Sequence, residues 1–228
     1  MNLSDKDKAY IWHPFTEMSD WCADHHDPLV IDKGEGVYVF DKSGRKYIDG
    51  NSSIWTNLHG HNNRRINQAI IEQLNKIAHA SFLGTTNQPA ILLAEMLVNM
   101  FPNKILQRVF YSDDGSTAIE CAMKVAIQYF QIIGQPQKKR FVAFDNAYHG
   151  DTFGASSIGG IDRFFSRFND LIFPTVRLSC IDELKAVDAK EIAAVVIEPK
   201  VQGAAGIRLW PDGMLQEIRQ WCDLNNVL

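Results

Sequence analysis

Tyr148, His149 and Asp151 lie within four residues of one another, directly after the apolar segment Phe141–Phe144. An aromatic ring can stack on a flat ligand, and a carboxylate can hold a cationic amine. A polar turn at the end of a buried strand is where α/β proteins commonly bind ligands. The alternative is a simple turn whose aspartate only caps the segment that follows.

A second polar turn, Asp114-Gly115-Ser116-Thr117, follows an apolar stretch and precedes a helical pattern. Glycine allows a ligand to approach the backbone closely, the hydroxyls add donors, and a helix start offers unpaired N–H groups. These are the requirements of a phosphate site. A plain helix cap, with Thr117 and Glu120 as a capping box, fits the same residues and stays open at this point.

Glu198 ends a third apolar segment, residues 193–197. Because the carboxyl ends of parallel strands share one edge of a sheet, we expect the three polar turns to lie together. Together they predict a site for a phosphorylated aromatic cofactor. Lys200 follows closely, but the sequence gives it no desolvating pocket, so we interpret it as a solvated loop lysine.

Two further groups of residues suggest chemistry but lack its usual setting. His25-His26 and His59-Gly60-His61 come without a carboxylate or thiol at ligand spacing, so we predict no metal site. Ser52 and Ser53 lack the Gly-x-Ser-x-Gly setting of a hydrolase nucleophile. We assign neither group a catalytic role.

Alternating strands and helices position the polar turns. Apolar and helical periodicities predict strands at 108–111, 141–144 and 193–197 and helices at 117–133 and 214–222. This order is typical of an α/β fold, with a mainly parallel sheet and helices on both faces. Val227-Leu228 resembles the opening of another strand, so we expect a chain truncated before the sheet is complete.

The first part of the chain predicts a different organisation. We predict that residues 1–30 form an irregular arm, whose aromatic side chains either pack onto the body or cap a pocket or a partner subunit. Two short apolar segments flank Asp41-Lys42-Ser43-Gly44, which is a β-hairpin pattern. Helical spacing then predicts a helix over 66–78 and another that begins at Pro89.

Composition narrows the class of protein. The 228 residues are 46% hydrophobic and 22% charged, with a formal net charge of −4, which is typical of a globular protein. Without a basic run we expect no nucleic-acid or membrane partner. The polar N-terminus is unlike a signal peptide, and the four cysteines are widely spaced, so we expect free thiols and a cytoplasmic location.

These motifs make the chain resemble the class III pyridoxal-phosphate-dependent aminotransferases, which have fold type I. The resemblance covers essentially all 228 residues. Its marks are Trp12-His13-Pro14-Phe15-Thr16, Asp49-Gly50-Asn51-Ser52-Ser53-Ile54-Trp55, His59-Gly60-His61, Asp114-Gly115-Ser116, Tyr148-His149-Gly150-Asp151-Thr152 and 197–204. The first two marks are similar to family members that act in biotin biosynthesis.

The resemblance implies which residues bind the cofactor, pyridoxal 5′-phosphate. Gly115 and Ser116 would bind its phosphate. Tyr148 would stack near its pyridine ring and border the substrate, and Glu198 would belong to the cofactor site. In domain terms, residues 1–60 would form an arm and hairpin segment of the small domain, and 61–228 an incomplete large domain.

The resemblance also implies a substrate pocket. Asp151 would bind the amino group of the keto-acid substrate, and Phe15, Ile54 and Trp55 would line the pocket. Phe15 stands where some relatives have a tyrosine, and Ile54 replaces the first of a Trp-Trp pair. The implied reaction transfers an amino group from S-adenosylmethionine or lysine to 8-amino-7-oxononanoate, in a homodimer.

The Schiff-base lysine and the aspartate that pairs with the pyridine nitrogen would lie beyond Leu228, so we expect this chain alone to be inactive. Two other functions stay open. One is a class III transaminase that acts on an ω-amino acid or a diamine. The other is a non-catalytic fragment that acts only in dimerisation or binding.

Overall fold

The computed structural model describes residues 1–102 and 105–228. The chain divides into two compact units, Met1–Met96 and Leu97–Leu228. The domain division expected at residue 60 stays a prediction. No helix in the described residues is long and apolar enough to cross a bilayer.

The first unit contains one small antiparallel sheet and several helices. Its elements are α1 (Leu3–Tyr10), α2 (Met18–Trp21), β1 (Ile31–Glu35), β2 (Tyr38–Asp41), β3 (Lys46–Ile48), α3 (Ser52–Trp55), α4 (Arg64–Leu74) and α5 (Gln88–Asn99). β2 pairs with both β1 and β3, in the order β1-β2-β3. The predicted hairpin is therefore confirmed. The two predicted helices are α4 and α5, and Pro89 is the second residue of α5.

Asp41 organises the hairpin turn between β2 and β3. Its carboxylate accepts hydrogen bonds from Ser43 N and Oγ, from Arg45 N and Nε, and from the Tyr47 hydroxyl. These donors hold the pKa of the Asp41 carboxyl well below its usual range, with the Ser43 hydroxyl contributing most. Gly44 has a φ of +84°, which a glycine adopts without strain.

The second unit alternates helices and strands, as an α/β pattern predicts. Its elements are α6 (Gly115–Ile132), β4 (Arg140–Phe144), α7 (Phe153–Ser157), α8 (Asp162–Phe165), β5 (Val176–Leu178), β6 (Ile192–Val195), β7 (Val201–Gln202), β8 (Arg208–Leu209) and α9 (Met214–Asn225). α6 begins two residues before the predicted helix because Asp114 caps it. Asn226, with a φ of +50°, ends α9.

A parallel sheet in the order β5-β4-β6 forms the centre of this unit. Leu228 extends it, because Leu228 N donates to Ala193 O and Val195 N donates to Leu228 O, each over 3.0 Å. Leu228 therefore pairs with β6 at the place where the sequence predicted a strand to open, and that strand stays a prediction.

Helices cover both faces of this sheet. Side chains of a strand alternate between its faces, and in β4 Phe141 and Ala143 pack against α6, while Val142 and Phe144 pack in the cluster that includes α9. Both clusters are buried, and the Phe130 side chain of α6 has no exposed surface. This arrangement holds the end of β4, and the turn that follows it, in a fixed place.

One predicted strand is wrong. Residues 108–111 form no strand, and the Phe110 side chain is 74% exposed. An extended segment becomes a strand only beside a neighbour with free N–H and C=O groups. β4 already has β5 and β6 at its sides, and no other strand of the described residues pairs with this segment.

Candidate functional site

The N-terminus of α6 is fixed by a capping box. Asp114 accepts a hydrogen bond from Thr117 N over 2.8 Å, and Asp114 N donates to Thr117 Oγ1 over 3.1 Å. The capping pair is therefore Asp114 and Thr117, and the box of Thr117 and Glu120 considered from the sequence is wrong. Gly115 and Ser116 form the first turn, where backbone N–H groups have no partner within the helix.

Ser116 connects this helix start to the turn after β4. Its Oγ accepts a hydrogen bond from Asp151 N over 2.8 Å. Gly150 lies against the same hydroxyl with a φ of +125°, and a Cβ at Gly150 would overlap Ser116 Oγ and lie 2.9 Å from Ser116 Cα. The two polar turns therefore meet at one edge of the sheet, as the strand order predicted.

The Tyr148 side chain is oriented at both of its ends. Its hydroxyl donates to Asp151 Oδ2 over 2.6 Å, and its ring lies nearly parallel to that of Phe165, with centroids 6.3 Å apart and planes at 14°. Burial, together with the bond to Asp151, raises the pKa of Tyr148 to about 12. The phenol is therefore neutral at physiological pH.

Asp151 does not cap the next helix. The N-cap of α7 is Thr152, whose own side chain makes no capping hydrogen bond. The interpretation of Asp151 as a simple cap is therefore wrong. Its Oδ2 binds Tyr148, whereas Oδ1 has no hydrogen-bond partner among the described residues.

Glu198 supports the turn from a position three residues after the end of β6. Its Oε2 accepts a hydrogen bond from Tyr148 N over 3.1 Å, and its Oε1 accepts from Gly203 N over 2.9 Å. Glu198 therefore lies at the same edge as the two polar turns, as predicted. Lys200, by contrast, lies exposed on the loop that follows.

Glu120 is a site residue that sequence reasoning missed. Its Oε1 accepts hydrogen bonds from Thr152 Oγ1 over 2.6 Å and from Gly154 N over 2.7 Å. A Cβ at Gly154 would overlap Glu120 Oε2, so a larger residue there would require this carboxylate to shift. The available signal was spacing: Glu120 lies four residues after Ser116 and therefore on the same face of α6.

His149 is a residue of the turn after β4 for which the sequence predicts no role. Its Nε2 is fully enclosed and has no hydrogen-bond partner in the described part of the chain. Burial lowers the pKa of His149 to about 4. The imidazole is therefore neutral near pH 7 and lies beside the two turns.

His149 should make the stability of the fold depend on pH. In the unfolded chain this imidazole has a pKa near 6.5, and in the folded chain a pKa of about 4. The unfolded state therefore gains the proton first as the pH falls, so the free energy of unfolding is unaffected by this group above pH 6.5 and decreases between pH 6.5 and 4. We expect a loss of about 3 kcal/mol of unfolding free energy from this group across that window. Urea denaturation at several pH values measures it.

The matched control is the exposed His25. His149→Asn should flatten the pH dependence between pH 6.5 and 4, whereas His25→Asn should leave it as in the unchanged chain. If the free energy of unfolding depends on pH equally in the two variants, His149 is not the group responsible for the pH dependence.

The turns enclose an open cavity of about 860 Å³. Its lining comprises Asp114, Gly115, Ser116, Ile119, Tyr148, His149, Gly150, Asp151, Thr152, Ile197, Glu198 and Pro199. All four predicted cofactor residues, Gly115, Ser116, Tyr148 and Glu198, are among them. A second cavity, of about 770 Å³, follows α4 and is lined by His59, Asn63, Arg65 and Gln73 among others. It contains none of the predicted cofactor residues, so it is the weaker candidate.

The other predicted substrate residues lie in the first unit. Phe15 is 75% exposed and lines a shallow cavity with Trp12, His13 and Pro14. Ile54 and Trp55 lie on α3 and are 65% and 64% exposed. Their role in a substrate pocket stays a prediction.

Comparison with known proteins identifies the family. The profile of the family described as Aminotransferase class-III matches residues 21–228. The chain belongs to the class III aminotransferases. This family depends on pyridoxal 5′-phosphate, which agrees with the expected cofactor.

Relatives of the class III chain include the adenosylmethionine-8-amino-7-oxononanoate aminotransferase of Geobacter sulfurreducens, which is 42% identical over 99% of this chain and 54% of that protein. The crystal structure of the enzyme of that name from Methanocaldococcus jannaschii matches with a TM-score of 0.94 and 40% identity, over 99% of this chain and 53% of that one.

An omega transaminase from Pseudomonas jessenii, solved in complex with PMP, matches with a TM-score of 0.90 and 28% identity, over 100% of this chain and 55% of that one. The predicted fold class is therefore confirmed. The class III chain spans about half the length of the relatives it matches.

Proposed function

We propose that the protein with this chain is an aminotransferase of biotin biosynthesis, which transfers an amino group from S-adenosylmethionine to 8-amino-7-oxononanoate and forms 7,8-diaminononanoate. The supporting observation is the identity of about 40% to enzymes named for this reaction, over nearly the whole chain. The omega transaminase is less similar, at 28% identity.

The residues at the edge of the sheet fit pyridoxal 5′-phosphate. A helix start binds phosphate through unpaired N–H groups, and at Gly115 even a Cβ would meet no atom within 4 Å, which leaves the backbone open to a ligand. Ser116 Oγ accepts from Asp151 N, so the hydrogen of its hydroxyl is free to be donated to a phosphate oxygen. Gly115 and Ser116 would hold the phosphate.

Tyr148 and Asp151 would border the ring of the cofactor and the substrate. The neutral phenol of Tyr148 fixes Asp151 Oδ2, which leaves Oδ1 for a cationic amino group. When bound, the cofactor supplies an electron sink for the electron pair left on a substrate carbon that loses its proton. The chain contributes orientation of the ring and of the amino group.

Glu198 and Glu120 would act as positioning residues. The Glu198 carboxylate binds the backbone at Tyr148 and Gly203, and thereby orients the stacking ring from behind. Glu120 binds Thr152 and Gly154 on the far side of the same turn. Between them the turn is held at both ends, as a site that binds a rigid ligand requires.

The remaining proposals concern the substrate pocket, the assembly and the compartment. Phe15, Ile54 and Trp55 would line the pocket for the keto-acid substrate. The assembly would be a homodimer, because Ile66, Ile70 and similar side chains of α4 are about half exposed. The four cysteines all lie in the described residues and are free, which fits the reducing cytoplasm.

A chimera tests the proposed reaction. Residues 1–228 are joined to the part of the Geobacter sulfurreducens relative that follows its matched region, and the unaltered relative is the positive control. With pyridoxal 5′-phosphate and S-adenosylmethionine, we expect the chimera to convert 8-amino-7-oxononanoate into 7,8-diaminononanoate. Formation of the product is followed by mass spectrometry.

A chimera that binds the cofactor and aminates only other carbonyl compounds, with an ω-amino acid or a diamine as donor, would contradict the proposal. It would favour the other class III transaminases. Lysine offered in place of S-adenosylmethionine tests the donor separately, since a chimera that uses lysine alone would contradict the proposed donor and leave the acceptor unchanged.

A further inference from the structure

The segment that carries Ile54 and Trp55 has a backbone that is rare for its residue types. Ser52, Ser53, Ile54 and Trp55 have φ values of +51°, +50°, +58° and +66°, so α3 is a left-handed turn without a glycine. Side chains disfavour this conformation at every such residue. A turn of this kind persists only where surrounding groups hold it.

Besides the backbone hydrogen bond from Trp55 N to Asn51 O over 2.8 Å, the turn is held mainly by the side chain of Asp49. Its Oδ1 accepts a hydrogen bond from Ser53 N over 2.9 Å, and its Oδ2 accepts from Ser53 Oγ over 2.7 Å. Asp49 N donates to Val37 O over 2.9 Å, which ties the residue to the sheet. The Asp49 side chain is only 10% exposed. These bonds, led by those from Ser53, lower the pKa of the Asp49 carboxyl.

His61 holds Asp49 from the other side. Its Nε2 lies 2.8 Å from Asp49 Oδ2, and its side chain is 17% exposed. The backbone of His61 exchanges two hydrogen bonds with Gly36, over 3.0 and 2.7 Å. A Cβ at Gly34 would lie 2.6 Å from His61 Cγ, so the imidazole packs directly on the β1 backbone.

We infer that Asp49 and His61 are positioning residues that hold Ile54 and Trp55 in the orientation in which they contact the substrate. Ile54 and Trp55 are largely exposed and so lack packing that would fix them. Their directions therefore depend on the backbone of the turn, and the turn depends on the pair of Asp49 and His61. The inference rests on the proposed function, because it takes Ile54 and Trp55 as pocket residues.

Amide hydrogen exchange on the chain itself tests whether Asp49 and His61 hold the turn. Asp49→Ala and His61→Ala should each make the Ser53 amide exchange at least about tenfold faster, because its acceptor is lost or released. His61→Gln should restore protection, since a glutamine amide can donate near the position of Nε2. The control is His59→Ala, because His59 is an exposed histidine of the same motif. In this variant the Ser53 amide should exchange at the same rate as in the unchanged chain.

A fluorine label reports on the side chain. In chains that contain 5-fluorotryptophan, the Trp55 signal, assigned with Trp55→Phe, should shift or broaden in His61→Ala but not in His59→Ala. Ser53→Ala is a milder variant that removes one bond and leaves the Asp49–His61 contact in place, in case His61→Ala does not fold. Unchanged exchange at Ser53 together with an unchanged Trp55 signal would overturn the inference.

Kinetics in an active chimera test the functional half. His61→Ala should lower kcat/KM for 8-amino-7-oxononanoate about tenfold while kcat falls much less, and His61→Gln should recover most of the loss. Faster exchange without any change in kcat/KM would show that the turn is held as inferred but does not serve the pocket. A chimera without any activity towards this substrate contradicts the proposed function and leaves the exchange result standing.

Discussion

Replacing Gly150 by alanine is expected to weaken the binding of pyridoxamine 5′-phosphate by roughly 100-fold or more. Gly150 has a φ of +125°, which a residue with a Cβ rarely adopts. The new Cβ would overlap Ser116 Oγ, so either Ser116 or the turn from Tyr148 to Asp151 must move. Both belong to the proposed cofactor site, so one methyl group disturbs the phosphate and ring contacts together.

Calorimetric titration of pyridoxamine 5′-phosphate into the chain measures this effect. This form of the cofactor has no aldehyde and therefore does not react with surface lysines. Gly206→Ala is the matched control: Gly206 has a φ of +88°, but a Cβ there would meet no atom within 4 Å. It carries similar backbone strain without the clash, and should bind as the unchanged chain does. Equal affinity of the Gly150 and Gly206 variants would contradict the proposed site.

The second large effect is expected at Lys138, which is 5% exposed and has no carboxylate partner among the described residues. Its ammonium group donates to three backbone carbonyl oxygens, at Ala189 over 2.9 Å, Ile192 over 3.3 Å and Asn225 over 3.1 Å. The three N–H bonds of the ammonium match these three acceptors. Burial lowers the pKa of Lys138.

Lys138→Met keeps the aliphatic volume and removes the donors. The three carbonyl groups belong to the segment before β6, to β6 itself and to the end of α9. Loss of the hydrogen bonds to them should therefore loosen the sheet and the helix together. We expect the free energy of unfolding to fall by about 3 kcal/mol, measured by urea denaturation. Lys139→Met, at the exposed neighbouring residue, should change it by less than about 0.5 kcal/mol. A similar small change for both variants would contradict the role given to Lys138.

Much of the second unit could be predicted from the sequence. The segments at 141–144 and 193–197 are apolar because both faces of their sheet are covered, and such runs are easily recognised. The polar turns after them were expected at one edge, and the bonds from Tyr148 N to Glu198 and from Asp151 N to Ser116 confirm this. These predictions succeeded because burial and strand direction determine them.

Other features depend on contacts between distant residues, which no local pattern reports. Residues 108–111 have the apolar character of a strand, but pairing needs a neighbour with free backbone groups. Glu120 resembles an ordinary helix-start glutamate until Thr152 and Gly154 are brought against it. The contact between Asp49 and His61 joins residues twelve apart and lacks the spacing of a metal or catalytic motif.

The motif His59-Gly60-His61 illustrates the same limit. From the sequence its two histidines are equivalent, and the only question they raise is metal binding. In the structure His59 is exposed, while His61 packs on Gly34 and bonds to Asp49. The difference comes from the backbone bridge between His61 and Gly36. It can be seen only once the sheet of the first unit has formed.

The most direct test of the central claim is an NMR titration of the chain with pyridoxamine 5′-phosphate and, separately, with pyridoxamine. If the start of α6 holds the cofactor phosphate, the amide signals of Gly115 and Ser116 should shift most. The phosphorylated ligand should then bind at least about tenfold more tightly, and Ser116→Ala should remove most of that advantage. Equal affinity for the two ligands, with the Gly115 and Ser116 signals unmoved at saturation, would contradict the account.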